Sequence, residues 1–572
     1  MSNPSPSVTA SATSFPAPTS SWLPLIGLCA LAALLLLLRL GDLGLTDRDE
    51  GSNAEAAREM LETGEWISPT LNYHPRYAKP AFTYWVISTS YALFGVNEFA
   101  ARLPSALFGI GLLIVQYGFL TRIFHPALAA YGALILLLNI EFLAICRMVL
   151  TDAALVFFTT LSAYGFWLGF HHEGRSRRWI WLFYLGMALA LLTKGPIGIM
   201  IPLFAVVPYL TLTRQWHRFW HTGLPLPGAL AFLLVAAPWY IAMFAIHGED
   251  YAAAAHANTL GRFANPMEGH GGTILFYIPV FLLAFFPWSA FLLPALAQAV
   301  RPWRIFRSGG PPPAGDSALL LFCAMWVITG FIFFSLSATR LPHYIFPLFP
   351  PASLLVAYFW SRIMHDSAPP GVGGAVTILT VLGYLIGLGL ASLPWIYTAF
   401  MEQIAREFPA APRLKLGLLP FLTGGMVLAG TIAMRYWCLA DRHRSLAFWI
   451  GAGLVISLVL LLVTVALPRF NRYFIAPPQE LAEVARYNLG PRDRLIQFGR
   501  KRPSLAFYAR RRVHFVNPGE DEKLRALLAQ PGRSMLILQA PLHSKLPAPA
   551  ADFPVVLHRY GFLLLSSEAM IP

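Results

Sequence analysis

Charged side chains are scarce in these 572 residues: 12% are Asp, Glu, Lys or Arg, against 56% hydrophobic. A soluble domain carries roughly twice that charged share, so a string of ordinary soluble domains is excluded despite the length. Disorder, coiled coil and a secreted disulfide scaffold fall with it as the main architecture. Acidic residues are the scarcer sign, 28 against 42 Lys and Arg, for a net charge of +14. In a soluble protein that excess would point to nucleic acid; in a membrane protein it follows from basic cytoplasmic loop ends. Cysteine is nearly absent. Cys29, Cys146, Cys323 and Cys438 lie in or beside apolar runs, with neither metal-ligand spacing nor a disulfide framework.

What is abundant is long apolar sequence. Residues 1–21 are uncharged and rich in Ser, Pro, Thr and Ala, a composition expected of a disordered tail. Trp22–Leu40 is the first run long enough to cross a bilayer, and it lacks the basic start of a signal peptide. Twelve more runs follow, which predicts about thirteen spans over residues 22–467. Ala81–Phe94 has the length of a re-entrant or interfacial helix instead. Leaving it out puts Arg175/Arg177/Arg178, Arg214/Arg218, Arg301/Arg304/Arg307 and Arg435/Arg442/Arg444 on one side, which is therefore cytoplasmic. The first periplasmic loop is then 41–102, and a long one covers 247–272.

After about Pro468 the composition becomes charged. Gln479–Asn488 and Asp521–Ala529 read as helices; Arg494–Phe498, Val513–Val516, Ser534–Gln539 and Val555–Leu565 read as strands. The expected fold class is an α-helical polytopic membrane protein, a monomer, with a small α/β extracytoplasmic domain at 468–572.

Topology sorts the remaining polar residues, and acids and bases gather at the outer face. Asp49-Glu50 opens the segment Asn53–Thr63, whose pattern reads as an amphipathic helix. Such a pair caps a helix N-terminus, or it serves as a base or holds a sugar or cation. Asp152 closes Arg147-Met-Val-Leu-Thr-Asp152, either as an ion pair at the membrane edge or facing the same cavity as Asp49. Lys194 precedes Gly195-Pro196, which forces a break; it either snorkels or meets a lipid phosphate as a point charge. His256, Asn258, Arg262, Glu268 and His270 populate the long loop without diagnostic metal spacing. Arg340-Leu-Pro-His343-Tyr344 is an interfacial anchor or part of the site.

Taken in order, these loops resemble the bacterial lipid-linked-sugar glycosyltransferases of the GT-C fold, in the aminoarabinose transferase and protein-mannosyltransferase-like branch. The strings that carry the resemblance are Asp49-Glu50 with Ala54 to Leu61, Lys79-Pro80 with Tyr84-Trp85, and Phe94 to Ser105. Leu150-Thr151-Asp152, Thr193-Lys194-Gly195-Pro196, Pro238-Trp239-Tyr240, Pro287-Trp288 and Phe334 to Tyr344 follow in family order. The resemblance covers about 41–350; beyond that only the layout matches.

It implies an inner-membrane enzyme that takes a sugar from a polyprenyl phosphate at the periplasmic face. A lipid A-type, glycan or protein acceptor receives it, and no nucleic acid takes part. Asp49 is the implied catalytic residue, with Glu50 and Asp152 beside it. Lys79, Arg58, Lys194, Arg340, His343, Tyr344 and Tyr84 are the expected substrate-binding set. A divalent metal at His270 is the one cofactor the resemblance raises. Two positions depart from the branch pattern: Ser52-Asn53 replace Arg-Tyr, and Ala78 replaces an acidic residue before Lys-Pro, removing the metal partner of His270. The rival class is a lipid or solute transporter, which would place its polar groups near the bilayer midplane on broken helices.

Overall fold

The computed structural model describes residues 22–171, 178–266, 271–365, 369–440 and 443–568. The expected tail 1–21, the basic residues Arg175, Arg177 and Arg442, and Glu268 and His270 of the long loop lie outside the described residues.

Helix α1 (Trp22–Leu37) leads into the first loop. There α2 (Asp49–Thr63), a short hairpin of β1 (Thr70–Leu71) and β2 (His74–Pro75), and α3 (Phe82–Phe94) precede α4 (Glu98–Leu120). The apolar body continues with α5 (Pro126–Leu137), α6 (Ile140–Ile145), α7 (Asp152–His171), α8 (Ile180–Lys194) and α9 (Ile197–Thr213). Among the described residues seven helices are long and apolar enough to cross a membrane. An eighth counts if the pair Tyr277–Ala284 and Trp288–Arg307, bent by 113°, is one span. The difference from about thirteen comes from segments such as α8 and α9. They have 15 and 17 residues, short of the roughly 20 that a span needs, because Gly195-Pro196 splits one apolar stretch.

Two expected elements differ. α2 is not amphipathic: every residue from Glu50 to Met60 is buried. It is a buried helix whose charges find partners inside the protein. The long loop is helical over most of its described length. Pro225–His256 runs into a π-helical turn at Ala257–Gly261 and ends at Ala264, broken only at Gly248 (φ 52°, ψ −125°). The run of alanines after Tyr251 explains this, alanine being the strongest helix former.

The C-terminal region carries a five-stranded sheet in the order β4-β3-β5-β7-β6. β3 (Arg494–Phe498) lies parallel to β4 (Val513–Val516) and β5 (Ser534–Gln539). The run expected as one strand is a hairpin of β6 (Val555–Arg559) and β7 (Phe562–Ser566). Tyr560 and Gly561 turn it with φ of 44° and 83°, as a two-residue hairpin turn requires.

This sheet is docked on the first loop. Ser504 Oγ donates to Asp47 Oδ1 (2.5 Å) and Arg502 pairs with Asp47 (2.9 Å). Tyr508 accepts from Leu45 N (2.9 Å) and donates to Glu98 (2.8 Å). Gly51 is glycine because α2 touches the C-terminal backbone there: a Cβ would stand 2.8 Å from Ser504 N.

Candidate active site

Asp49 and Glu50 are neighbours in sequence and opposites in setting. Glu50 is 1% exposed. Arg102 from α4 meets it twice, Nε to Oε1 at 2.8 Å and a terminal nitrogen to Oε2 at 3.0 Å. The backbone N–H groups of Thr46 (2.7 Å) and Val149 (3.1 Å) also donate to its carboxylate. Burial opposes its ionisation, yet Arg102 and these donors hold its carboxyl below the usual range. The Asp49 side chain is exposed and has no hydrogen-bond or ion-pair partner among the described residues. The expected capping role is therefore not what Asp49 performs; Glu50 closes the turn through Thr46.

Asp152 starts α7 and Lys194 ends α8, and the Gly195-Pro196 break releases Lys194 toward it. Lys194 Nζ lies 2.6 Å from Asp152 Oδ1, and His343 Nε2 lies 4.0 Å from Oδ2. Lys194 also stands 4.9 Å above the Tyr344 ring, a favourable cation–π distance. Tyr344 Oη accepts from Arg262 at 3.4 Å.

These groups form one end of a cavity of about 440 Å³. Lys79, Asp152, Lys194, Arg262 and Tyr344 line that end; Leu155, Met200, Phe263, Phe333 and Phe334 line it too, with the polar groups of Asn258, Thr259, Ser337 and Thr339. A charged head joined to an apolar trough suits a molecule that is ionic at one end and hydrocarbon along its length. Lys79 is held back from bulk water and lies in the field of Lys194, which lowers its ammonium to about 8; Asp49 and Asp152 pull the other way. Asp49 thus acts electrostatically on the cavity though it caps nothing.

Of the residues singled out from sequence, Lys79, Asp152, Lys194 and Tyr344 line this cavity, and His343 touches it through Asp152. Asp49, expected to share this cavity with Asp152, does not line it and reaches it only through its field on Lys79, and four others lie elsewhere. Glu50 is committed to Arg102. Arg58 is buried against Glu55 (2.7 and 2.8 Å), Glu62 (2.6 Å) and Tyr73 (3.2 Å). Tyr84 is buried and accepts from Arg76 at 3.0 Å. Arg340 donates to the carbonyls of Gly272 and Ser335. Arg262 was not ranked from sequence, because nothing in the spacing of a long loop separates one basic residue from another. No group of three or more His, Cys, Asp and Glu able to hold a metal occurs among the described residues.

Comparison with known proteins bears on the fold and the family. Residues 30–252 match the family of dolichyl-phosphate-mannose-protein mannosyltransferases. The undecaprenyl phosphate-α-4-amino-4-deoxy-L-arabinose arabinosyl transferase of Edwardsiella ictaluri is 28% identical over 429 residues, 74% of this chain and 72% of that one. An uncharacterized protein of Aquifex aeolicus is 31% identical over 321 residues, 56% of this chain and 69% of its own length. The crystal structure of ArnT from Cupriavidus metallidurans bound to undecaprenyl phosphate superposes with a TM-score of 0.76 at 23% identity, covering 95% of this chain and 98% of that one. The helical body and the C-terminal sheet are thus shared with a solved transferase, and a transporter finds no support in these similarities. In sequence and in fold the chain is similar to the lipid-linked-sugar glycosyltransferases of the GT-C fold.

Proposed function

We propose that this glycosyltransferase moves a sugar from a polyprenyl-phosphate donor to an acceptor at the periplasmic face of the inner membrane. The observation that carries the reading is the cavity itself. Lys79, Lys194 and Arg262 gather at its polar end, and its apolar wall has room for the first isoprene units of a carrier. The relatives named for an undecaprenyl-phosphate aminoarabinose support an amino-pentose as the sugar. A lipid A-type acceptor is the first candidate, with envelope glycans and proteins as the others.

In this scheme Lys79 and Arg262 meet the donor phosphate, while Lys194 is shared between that phosphate and Asp152. The acceptor oxygen attacks sugar C1, the C1–O bond to phosphate breaks, and polyprenyl phosphate leaves with the electron pair. The cations stabilise the charge that grows on the leaving phosphate. If the acceptor is a hydroxyl, Asp49 takes its proton during attack. If it is a phosphate, the nucleophile arrives ionised and Asp49 orients the sugar. Asp152 holds Lys194 and, with His343, shapes the polar end. His270 lies outside the described residues, and no step is assigned to a metal.

The test is Asp49→Asn in a deletion strain, with mass spectrometry of lipid A, envelope glycans and periplasmic proteins. The exposed, unpaired side chain predicts normal expression and a rate loss of about 10²-fold or more. Retained transfer removes Asp49 from the chemistry. A deletion strain with all three pools unchanged would overturn the transferase reading of this cavity.

A further inference from the structure

Two cations at the polar end of the cavity arrive on separate elements. Lys79 follows the β1–β2 hairpin of the first loop, and Arg262 lies beyond Gly248 on the continuation of the helix Pro225–His256. Lys79 stands in the field of Arg262. Like charges repel, so the two do not hold each other. Contacts outside the cavity have to keep their elements together.

The far end of the helical arm is fixed by backbone. Ala338 N donates to Phe263 O at 2.9 Å, and Thr339 N to Arg262 O at 3.2 Å. The near end is tied by a side chain, that of His247, the last residue before the break at Gly248. Its Nε2 lies 2.6 Å from Ser68 Oγ and its Nδ1 lies 3.1 Å from Tyr77 Oη. Ser68 precedes the hairpin and Tyr77 follows it, so one imidazole ring holds both flanks. A hydroxyl can donate or accept, and either tautomer of the ring therefore satisfies both contacts. The Tyr77 ring also meets His247 and Tyr251 edge-on, with centroids 5.0 and 5.8 Å apart, and so spans the break at Gly248. Lys79 comes two residues after Tyr77. Ser68, Tyr77 and His247 do not line the cavity.

We propose that His247 is a positioning residue for the donor phosphate. By joining Ser68 and Tyr77 to the helix that continues to Arg262, it sets the spacing between Lys79 and Arg262. It touches neither substrate nor cavity and acts through the two cations. A phosphate bridged by both needs them at one separation, and supporting contacts outside a site keep such a separation before the ligand arrives. The inference rests on the reading of the cavity as the donor site.

The experiment measures undecaprenyl phosphate binding to the purified full-length protein in detergent, with thermal unfolding of the same samples. His247→Ala should weaken binding about tenfold, the scale of two lost hydrogen bonds. Tyr77→Phe removes one of the two and should weaken it less, and it repeats the test with a milder change should His247→Ala fail to fold. His247→Gln keeps a donor and an acceptor and should recover part of the loss. In an Arg262→Gln background either substitution should cost little more, because residues that act through one group are not additive. A merely structural role would give the same loss in both backgrounds. His558→Ala, at an exposed position on β6, should bind as wild type does. Unchanged binding in both His247→Ala and Tyr77→Phe overturns the proposal, and so does a loss of full size in the Arg262→Gln background. If Arg262→Gln alone binds undecaprenyl phosphate as wild type does, the donor reading falls and this inference with it. If Arg262→Gln weakens binding and the His247 and Tyr77 variants do not, the donor reading stands and only the role of His247 falls.

Discussion

The buried charges of α2 and the unpaired charges of Arg48, Asp49 and Lys79 follow opposite rules. Glu50, Glu55, Arg58 and Glu59 are buried and saturated with partners: Arg102 for Glu50, Arg58 for Glu55, and Thr70, Asn72 and Tyr73 for Glu59. Asp49, Arg48 and Lys501 are exposed and Lys79 is partly buried, and none of the four side chains has a hydrogen bond or ion pair among the described residues. Saturated charges hold a scaffold, since a buried ion without partners is costly. Charges left unsatisfied at the edge of a cavity are available to a ligand. Asp49 and Glu50 are consecutive in the chain and fall in different sets.

The sharpest way to break that contrast is Glu50→Gln. It strands Arg102 at 1% exposure, and breaking a buried pair costs about 3–5 kcal/mol. Thermal unfolding in detergent should show that loss. Asp49→Asn, at an exposed position, should stay within about 0.5 kcal/mol of wild type. The sign with pH follows. Because the folded-state carboxyl of Glu50 is held below its ordinary value of 4.5, its stabilisation is complete above that value. It is lost as pH falls through the lower, folded value.

Gly51→Ala tests the joint between the scaffold and the C-terminal region. The new Cβ would meet Ser504 backbone atoms at 2.8 and 2.9 Å. Overpacking of this kind costs about 1–3 kcal/mol, and proteolysis should show the C-terminal region released before the helical body. A C-terminal region equally protected in the variant would mean that the contact is not a constraint.

Much of this was legible in the sequence. β3, β4 and β5 begin and end where the apolar runs do, and Asp152, Lys194, Lys79 and Tyr344 do share one cavity. What was hidden depends on distant partners or on backbone geometry. Asp49 and Glu50 look alike until Arg102, 52 residues away, claims one of them. The β6–β7 turn is hidden within Val555–Leu565 because Tyr560, not a usual turn residue, takes a positive φ. Arg262 gains meaning only when the helix beyond Gly248 carries it to the cavity.

Lys79 gives a smaller effect with a definite sign. Its ammonium, lowered to about 8, is charged at neutral pH and loses its proton as pH rises past that value. Donor KM should then climb by up to about tenfold per pH unit, as expected when one protonation state binds. Lys79→Arg, charged throughout, should flatten the profile. A wild-type profile flat from pH 7 to 9 would remove Lys79 from the donor phosphate.

At the far end of the scale is an ion pair with little to lose. Arg559 on β6 meets Glu480 on the helix Ala476–Asn488, with side chains 46% and 38% exposed. It resembles the Glu50–Arg102 pair in chemistry and differs in solvent. Water and salt screen an exposed pair, and ordering two long side chains offsets the attraction, so such pairs are worth about 0.2–1 kcal/mol. Arg559→Gln should therefore cost no more than that and shift unfolding less in high salt than in low. It should also leave transfer untouched, because Arg559 does not line the cavity. A loss approaching that of Glu50→Gln would mean that burial does not separate structural from spare charge in this protein.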